Sequence, residues 1–233
     1  MNIVVAIDGP AASGKSTVAR GVAKALNAIY VDSGSFYRGV TWWVLRAGIP
    51  AGDSAGVIRG LGVLWFEKVL SDGAVRYRVD GEDPGGAIRG EAVAERVSEI
   101  AAISEVRNQV NRWLRETREL GPIVMEGRDI GSVVFPDTPH KFYLDADPAE
   151  RARRRHAESI ARQEGRDVAQ VLESLHRRDT RDSGRTEAPL KVAPGAQVID
   201  TTFLTIDQVI QTIVEILQHD PLVRHSCAPF GER

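Results

Sequence analysis

Eight residues near the start of the chain, Gly9-Pro10-Ala11-Ala12-Ser13-Gly14-Lys15-Ser16, fit the spacing G-x-x-x-x-G-K-[ST]. The chemistry this spacing serves is the capture of a polyphosphate. Gly9 and Gly14 admit backbone conformations that strain other residues, so successive N–H groups can converge on an anion. A helix opening at Lys15 adds the partial positive charge of its N-terminus at the same point. Lys15 would then reach the β- and γ-phosphates, and the Ser16 hydroxyl would ligate Mg²⁺. The plainer alternative is a glycine-rich turn that only starts a helix.

Three further groups of residues could do chemistry. Asp32-Ser33-Gly34-Ser35-Phe36-Tyr37-Arg38 follows a short apolar stretch. Ser33 reads equally as a helix N-cap or a ligand contact, and Arg38 as a surface cation or an anion ligand. Glu126-Gly127-Arg128-Asp129-Ile130-Gly131 follows the apolar run Pro122–Met125. Glu126 is a candidate metal ligand, whereas Arg128 and Asp129 either face a ligand or pair with each other. Between Arg151 and Lys191, eleven basic and seven acidic residues give a local charge of +4 against −2 for the whole chain. Within that segment Arg151, Arg154 and Arg155 share one helical face. The stripe Val168, Val171, Leu172, Leu175 runs on into Arg178 and Asp182, with Arg181 and Arg185 beside it. Core-facing charges need a partner, and an anion in a cleft is one. The alternative is a solvated arginine-rich face.

The elements that must position these groups can be read from periodicity. Ile3–Ile7, Ala28–Val31, Pro122–Met125, Lys141–Leu144 and Ala196–Asp200 read as five buried parallel strands, whose carboxyl ends are where ligands gather in such a sheet. Val18, Ala19, Val22, Ala23 and Leu26 recur at helical spacing. Trp42 and Trp43 are expected to pack inside. Val63–Phe66 and Val75–Val79, separated by Ser71-Asp72-Gly73, read as a hairpin foreign to a parallel sheet and set beside it as an insertion. Two helices follow, from about Glu91 to Ala102 and from near Glu105. The second buries Val106, Val110, Trp113 and Leu114 and leaves Arg107 exposed. Asp147-Pro148-Ala149-Glu150 opens a helix, and Gly165 ends it. Asp167 with Gln170, and Thr205 with Gln208, make capping boxes. The last helix is expected to bury Ile206, Val209, Ile210, Ile213 and Leu217.

Composition narrows the class. The 233 residues, 42% hydrophobic, suit one α/β domain with insertions. A charge of −2 and a pI near 6.2 argue against a bulk nucleic-acid binder. The one cysteine, Cys227, excludes an intrachain disulfide and a Cys-based metal site, and the five histidines lack ligand spacing. A strand from Ile3 leaves no room for a leader and no apolar run reaches transmembrane length, so a cytoplasmic protein is expected.

Taken together, the pattern resembles the bacterial cytidylate kinases of the nucleoside monophosphate kinase family over residues 2–217. The likeness rests on Ile7-Asp8-Gly9-Pro10…Gly14-Lys15-Ser16, Asp32-Ser33-Gly34…Tyr37-Arg38 and Gly127-Arg128-Asp129-Ile130-Gly131. It rests also on Val133-Val134-Phe135-Pro136 and Arg178-Asp179…Arg181-Asp182…Arg185…Ala188-Pro189-Leu190. Glu126 departs from it, standing where many members carry Asp. The resemblance implies a P-loop nucleoside-monophosphate-kinase fold: a five-stranded parallel sheet flanked by helices, an inserted monophosphate-binding domain with a small antiparallel sheet, and a short lid. One domain would span residues 1–218, with the insert at about 35–118, the lid at about 148–167 and a tail at 219–233.

The activity implied is transfer of the γ-phosphoryl group of Mg·ATP to CMP or dCMP by a monomer, with neither nucleic acid nor membrane as partner. Residues Gly9 to Thr17 and Arg151 would bind ATP, with Ser16 on Mg²⁺. Ser33, Arg107 and Asp129 would contact cytosine, and Arg38 and Arg128 the acceptor phosphate. Ser98, Arg178 and Asp182 would contact the sugar, with Arg181 nearby, and Arg185 would lie close to both nucleotides. Lys15, Arg128, Arg154, Arg155 and Arg185 would be catalytic, with Arg151, Arg154 and Arg155 in the lid. Three other readings stay open: a uridylate, thymidylate or shikimate kinase on the same fold, a nucleotide-sensing module without transfer, and an RNA-binding protein using the arginine helices.

Overall fold

The protein was analysed as a computed structural model that describes residues 2–50, 52–161, 167–185 and 188–226. The apolar run after Asn2 forms β1 (Val4–Asp8), buried on both faces, and the glycine loop delivers it into α1 (Lys15–Ala25). Next come β2 (Ile29–Asp32), α2 (Ser33–Arg46) and α3 (Ser54–Leu61). The hairpin β3 (Phe66–Ser71) and β4 (Ala74–Val79) precedes α4 (Glu91–Ile100) and α5 (Ser104–Glu116). After β5 (Ile123–Gly127) and β6 (His140–Asp145), α6 (Pro148–Ala161) packs on α7 (Val168–Ser183). The chain then runs through β7 (Gln197–Asp200), α8 (Ile206–Gln218) and α9 (Pro221–Ser226).

The sheet order is β3-β4-β2-β5-β1-β6-β7. The five expected strands are the parallel part, β2-β5-β1-β6-β7. The hairpin is not set apart from them. β4 lies parallel to β2 through Tyr30 and Ala74, and the Tyr30 N–H donates to Gly73 O at 2.8 Å. The sheet is therefore mixed and seven-stranded. The hairpin turn takes positive φ at both Asp72 (52°) and Gly73 (68°), the twist a two-residue hairpin needs. Its first strand starts at Phe66, later than expected, and Val63 and Trp65 stay exposed.

One face of the sheet buries Phe36, Val40, Val106, Val110 and Leu114 beneath α2 and α5. Phe66 stacks between Tyr77 and Trp113, with ring centroids 4.6 and 4.3 Å away, which fastens the hairpin to α5. The other face packs α1 and α8 through Val18, Val22, Val209, Ile213 and Leu217, with Ile206 and Ile210 only half-buried. Trp42 and Trp43 are half-buried against the first core. Both capping boxes form. The expected stripe on α7 is narrower than its spacing suggests. Val171 and Leu175 are buried, but Val168 and Leu172 are 46% and 41% exposed, because among the described residues α7 packs extensively on α6 alone. Gly165 and Cys227 lie outside the described residues.

Candidate functional site

Parallel register brings the carboxyl ends of β1, β5 and β2 side by side, pairing Asp8 with Gly127 and Asp32 with Glu126. The glycine loop leaves from the first of these ends. Gly9 has φ 155°, and a Cβ there would stand 2.2 Å from Leu144 O, so only glycine lets the loop pass β6. Gly14 caps α1 in the left-handed region at φ 86°. Lys15 is buried and its Nζ donates to Pro10 O at 3.1 Å. Burial pushes its pKa down to about 7, with Arg128 adding to the depression and Glu126 opposing it. Ser13 Oγ is buried without a hydrogen-bond partner among the described residues. Ser16 Oγ donates to Glu126 Oε1 at 2.6 Å, which joins the two candidate metal ligands. Among the described residues no cluster of three His, Cys, Asp or Glu side chains could hold a metal alone. One hydroxyl and one carboxylate beside a phosphate loop are a donor set suited to Mg²⁺ completed by phosphate oxygens and water.

Beside the loop, a cleft of about 1050 Å³ opens between the first turn of α6 and the turn entering α8. Gly14, Thr17, Glu150, Arg154, Phe203 and Ile206 are among its walls. Arg154 lines it and Arg151 lies behind it on the same helix, and neither is free. Arg151 pairs with Asp179 and donates to Ala146 O and Ala11 O at 3.1 and 3.2 Å. Asp179 also accepts from the Ala11 N–H at 3.3 Å, so α6 and α7 jointly hold the glycine loop. Arg154 bonds Glu150 at 2.8 Å and Thr201 O at 2.6 Å, tying α6 to the end of β7. Arg155 is half-buried and pairs with Glu158 at 2.8 Å.

A cluster of arginines lies across the ends of β2 and β5. Asp32 caps α2 by accepting from the Ser35 N–H at 2.9 Å, so the cap is Asp32 and not Ser33. The Ser33 hydroxyl instead donates to Glu126 O at 2.7 Å. Arg38 reaches Asp32 at 2.7 Å, but its Nε is buried without a partner among the described residues. Arg89, which the sequence did not single out, approaches the same carboxylate at 3.4 Å.

Arg107 is buried, contrary to its expected exposure. It pairs with Asp129, donates to Ala101 O at 3.3 Å and lies 5.5 Å from the Tyr37 ring centre. That pairing also answers whether Arg128 and Asp129 bind each other: they do not. Arg128 bonds Asp182 at 2.8 Å and Gly9 O at 2.9 Å. Burial raises the Asp129 pKa, with Arg107 pulling the other way. At Asp182 burial acts to raise the pKa, but Arg128 and Arg185 outweigh it and the carboxyl ends below its usual value. Ser98 is half-buried on α4, which approaches α7.

Arg178 and Arg181 are solvent-accessible and, among the described residues, have no hydrogen-bond or ion-pair partner. Loss of water around the guanidinium, followed by Arg128, lowers the Arg178 pKa, and Asp182 opposes them. Local spacing could flag Lys15, Ser16, Arg38 and Arg128. It carried no signal for Arg89, Asp179 as a loop anchor, or Thr201.

Residues 5–219 match the protein family described as cytidylate kinase. A cytidylate kinase of Mycobacterium leprae is 43% identical over 218 residues, covering 93% of this chain and 96% of the relative. One of Geobacillus thermodenitrificans is 43% identical over 215 residues, covering 92% and 96%. A solved structure of an uncharacterized protein from Eubacterium ventriosum shares the fold, with a TM-score of 0.51 at 12% identity, covering 94% of this chain and 100% of that one.

Proposed function

The chain belongs to the cytidylate kinase family, and we propose that it transfers the γ-phosphoryl group of ATP to CMP or dCMP, with ATP at the glycine loop and its cleft and the acceptor at the arginine cluster across β2 and β5. One observation carries the division of labour. Among the described residues, polar groups short of a direct partner stand in both places: Ser13 Oγ in the glycine loop, and Arg38 Nε and Arg178 in the arginine cluster. Buried donors and crowded cations are costly without a counter-group, and phosphates would supply one at each place. A sensing module would not need the arginine cluster. A uridylate or thymidylate kinase would need a different pair where Arg107 and Asp129 stand.

The acceptor oxygen is already ionised at neutral pH, since the second pKa of a phosphate ester is about 6, so no general base is required. The obstacle is the meeting of two anions in line. Lys15, Arg128 and Arg185 would offset that repulsion as charge spreads over the transferring group. Ser16 and Glu126 would hold Mg²⁺, which when bound supplies Lewis-acid neutralisation of the β- and γ-phosphates. Arg38 and Arg128 would take the acceptor phosphate, while Ser98, Arg178 and Asp182 would take the sugar, with Arg181 at the margin. The cleft lined by Arg154, with Arg151 behind it, suits the donor nucleoside, and residues 148–167 with Arg154 and Arg155 would exclude water as a lid. Residues 35–118 would act as the acceptor-binding unit.

Base choice follows from hydrogen-bond polarity. Cytosine offers an amine at C4 and acceptors at N3 and O2, whereas uracil offers an oxygen and an N–H at the first two. Asp129 would accept from the amine, and Ser33 and Arg107 would complete the contact. Uracil would set oxygen against carboxylate and N–H against guanidinium. Discrimination of about 10⁴ is the scale for buried polar groups left unpaired. The test is ADP release with CMP, dCMP, UMP and dTMP as acceptors, in the natural protein and in Asp129→Asn. CMP should lead, and the substitution should lower its kcat/KM and narrow its margin over UMP. A CMP:UMP ratio unchanged by Asp129→Asn would remove Asp129 from base reading.

A further inference from the structure

Asp129 occupies an unusual place. It is the residue before the short π-type turn Ile130–Val134, where an aspartate ordinarily accepts from the unpaired N–H groups of the first turn. Its side chain makes no such bond, because its carboxylate is taken by Arg107. Two of the first-turn donors are satisfied from the adjacent strand. Asp8, the last residue of β1, accepts from the Ile130 N–H through Oδ1 and from the Gly131 N–H through Oδ2, each at 2.8 Å and across 122 and 123 residues of chain. Asp8 is 3% exposed and stands next to Gly9, whose carbonyl accepts from Arg128. Three bonds, all donated by residues 128–131, thus clamp that segment to the root of the glycine loop.

We propose that Asp8 is a positioning residue for base selection: by capping the turn in place of Asp129, it leaves the Asp129 carboxylate free to face Arg107 and the acceptor base. The inference rests on the reading of Asp129 and Arg107 as base readers. A carboxylate at this depth is a poor choice for packing alone, since the neighbouring β1 positions are Val, Val, Ala and Ile. Burial raises the Asp8 pKa to about 7, against the pull of the two backbone N–H groups and Lys15, so the protein retains it at an electrostatic cost. Without that carboxylate, Asp129 is the residue placed to cap Gly131, two positions on, with its own side chain. Swinging to do so would break its pair with Arg107.

Asp8→Asn tests this with little change of shape. An amide keeps one acceptor but turns an NH₂ group on the second N–H. Steady-state kinetics should show the KM for CMP raised about tenfold and the CMP:UMP ratio of kcat/KM narrowed by about as much, the scale of one buried hydrogen bond, with the KM for ATP within about twofold. A role in the fold alone would lower Tm and move both KM values together, or neither, and either pattern overturns the inference. If Asp129→Asn itself leaves the CMP:UMP ratio unchanged, the base-reading premise fails and takes this inference with it. If Asp129→Asn shifts the ratio while folded Asp8→Asn does not, only the role of Asp8 fails.

A second measurement does not depend on an Asp8 variant folding. Amide exchange at Ile130 and Gly131 should be nearly the same in the natural protein and in Asp129→Ala, because Asp8 holds both donors. Exchange at those two amides about tenfold faster in Asp129→Ala would show that Asp129 is the cap in solution and would overturn the inference.

Discussion

Lys15 is held where its charge is disfavoured until an anion arrives. Burial and the neighbouring Arg128 push its pKa down, and its Nζ turns back to Pro10 O. A triphosphate would reverse both effects, and the cation would act in a dry site where a charge contact is strongest. Lys15→Ala should therefore keep the fold while kcat/KM falls by at least ~10³, the scale of a lost transition-state charge partner. ADP release together with a thermal melt would check this, and near-normal turnover in a folded variant would contradict the role. Lys15 and Ser16 were legible because their chemistry depends on neighbours a few positions away. Arg107 was not. It looks exposed from helix phase, and the charge that permits its burial is Asp129, 22 residues on. The role of Asp8 is harder still to read, since the donors it serves are more than a hundred residues distant in sequence.

At the scale of elements, α6 and α7 brace the glycine loop more than they wave above it. Arg151 and Asp179 grip Ala11, and Arg154 reaches the carbonyls of Thr201 and Thr202. The arginine face was visible from i, i+3, i+4 spacing, but spacing could not show that its first two members are already engaged. The hairpin was legible for a related reason: alternation and the Asp72-Gly73 turn mark it locally. Its attachment to β2 was not, because one parallel bridge at Tyr30 leaves no periodic trace. Replacing Arg154 and Arg155 together by Gln should loosen α6 from β7 and remove two cations from the donor side. Turnover should fall by about 10²-fold or more, as for a lost electrostatic clamp, while CMP binding without ATP stays within about twofold. Calorimetry with CMP alone and kcat at saturation check the two halves. A collapse of CMP affinity with turnover preserved would assign these arginines to the acceptor.

For the molecule as a whole, a net charge of −2 conceals a divided surface. Arg38, Arg128, Arg178 and Arg185 gather in one cluster, and Lys15 adjoins it. Asp32 and Asp182 neutralise part of that set, and Asp182 also attracts Arg178, which among the described residues has no direct ion pair of its own. Like charges gathered before the ligand arrives weaken the free protein and strengthen the complex, the usual exchange of stability for function. Arg178→Gln should therefore make the free protein more stable, by about 1 kcal/mol once solvent screening of this accessible side chain is allowed for. The same substitution should shrink the stabilisation gained from CMP. A ligand at a hundred times its Kd adds about 2.7 kcal/mol to the natural protein, and the variant at the same concentration should gain visibly less. Cytidine, which lacks the phosphate, should stabilise both proteins weakly and nearly alike. Thermal and urea melts of both proteins, free and with each ligand, separate these effects. A free variant less stable than the natural protein would mean that Arg178 holds the fold together rather than waiting for an anion.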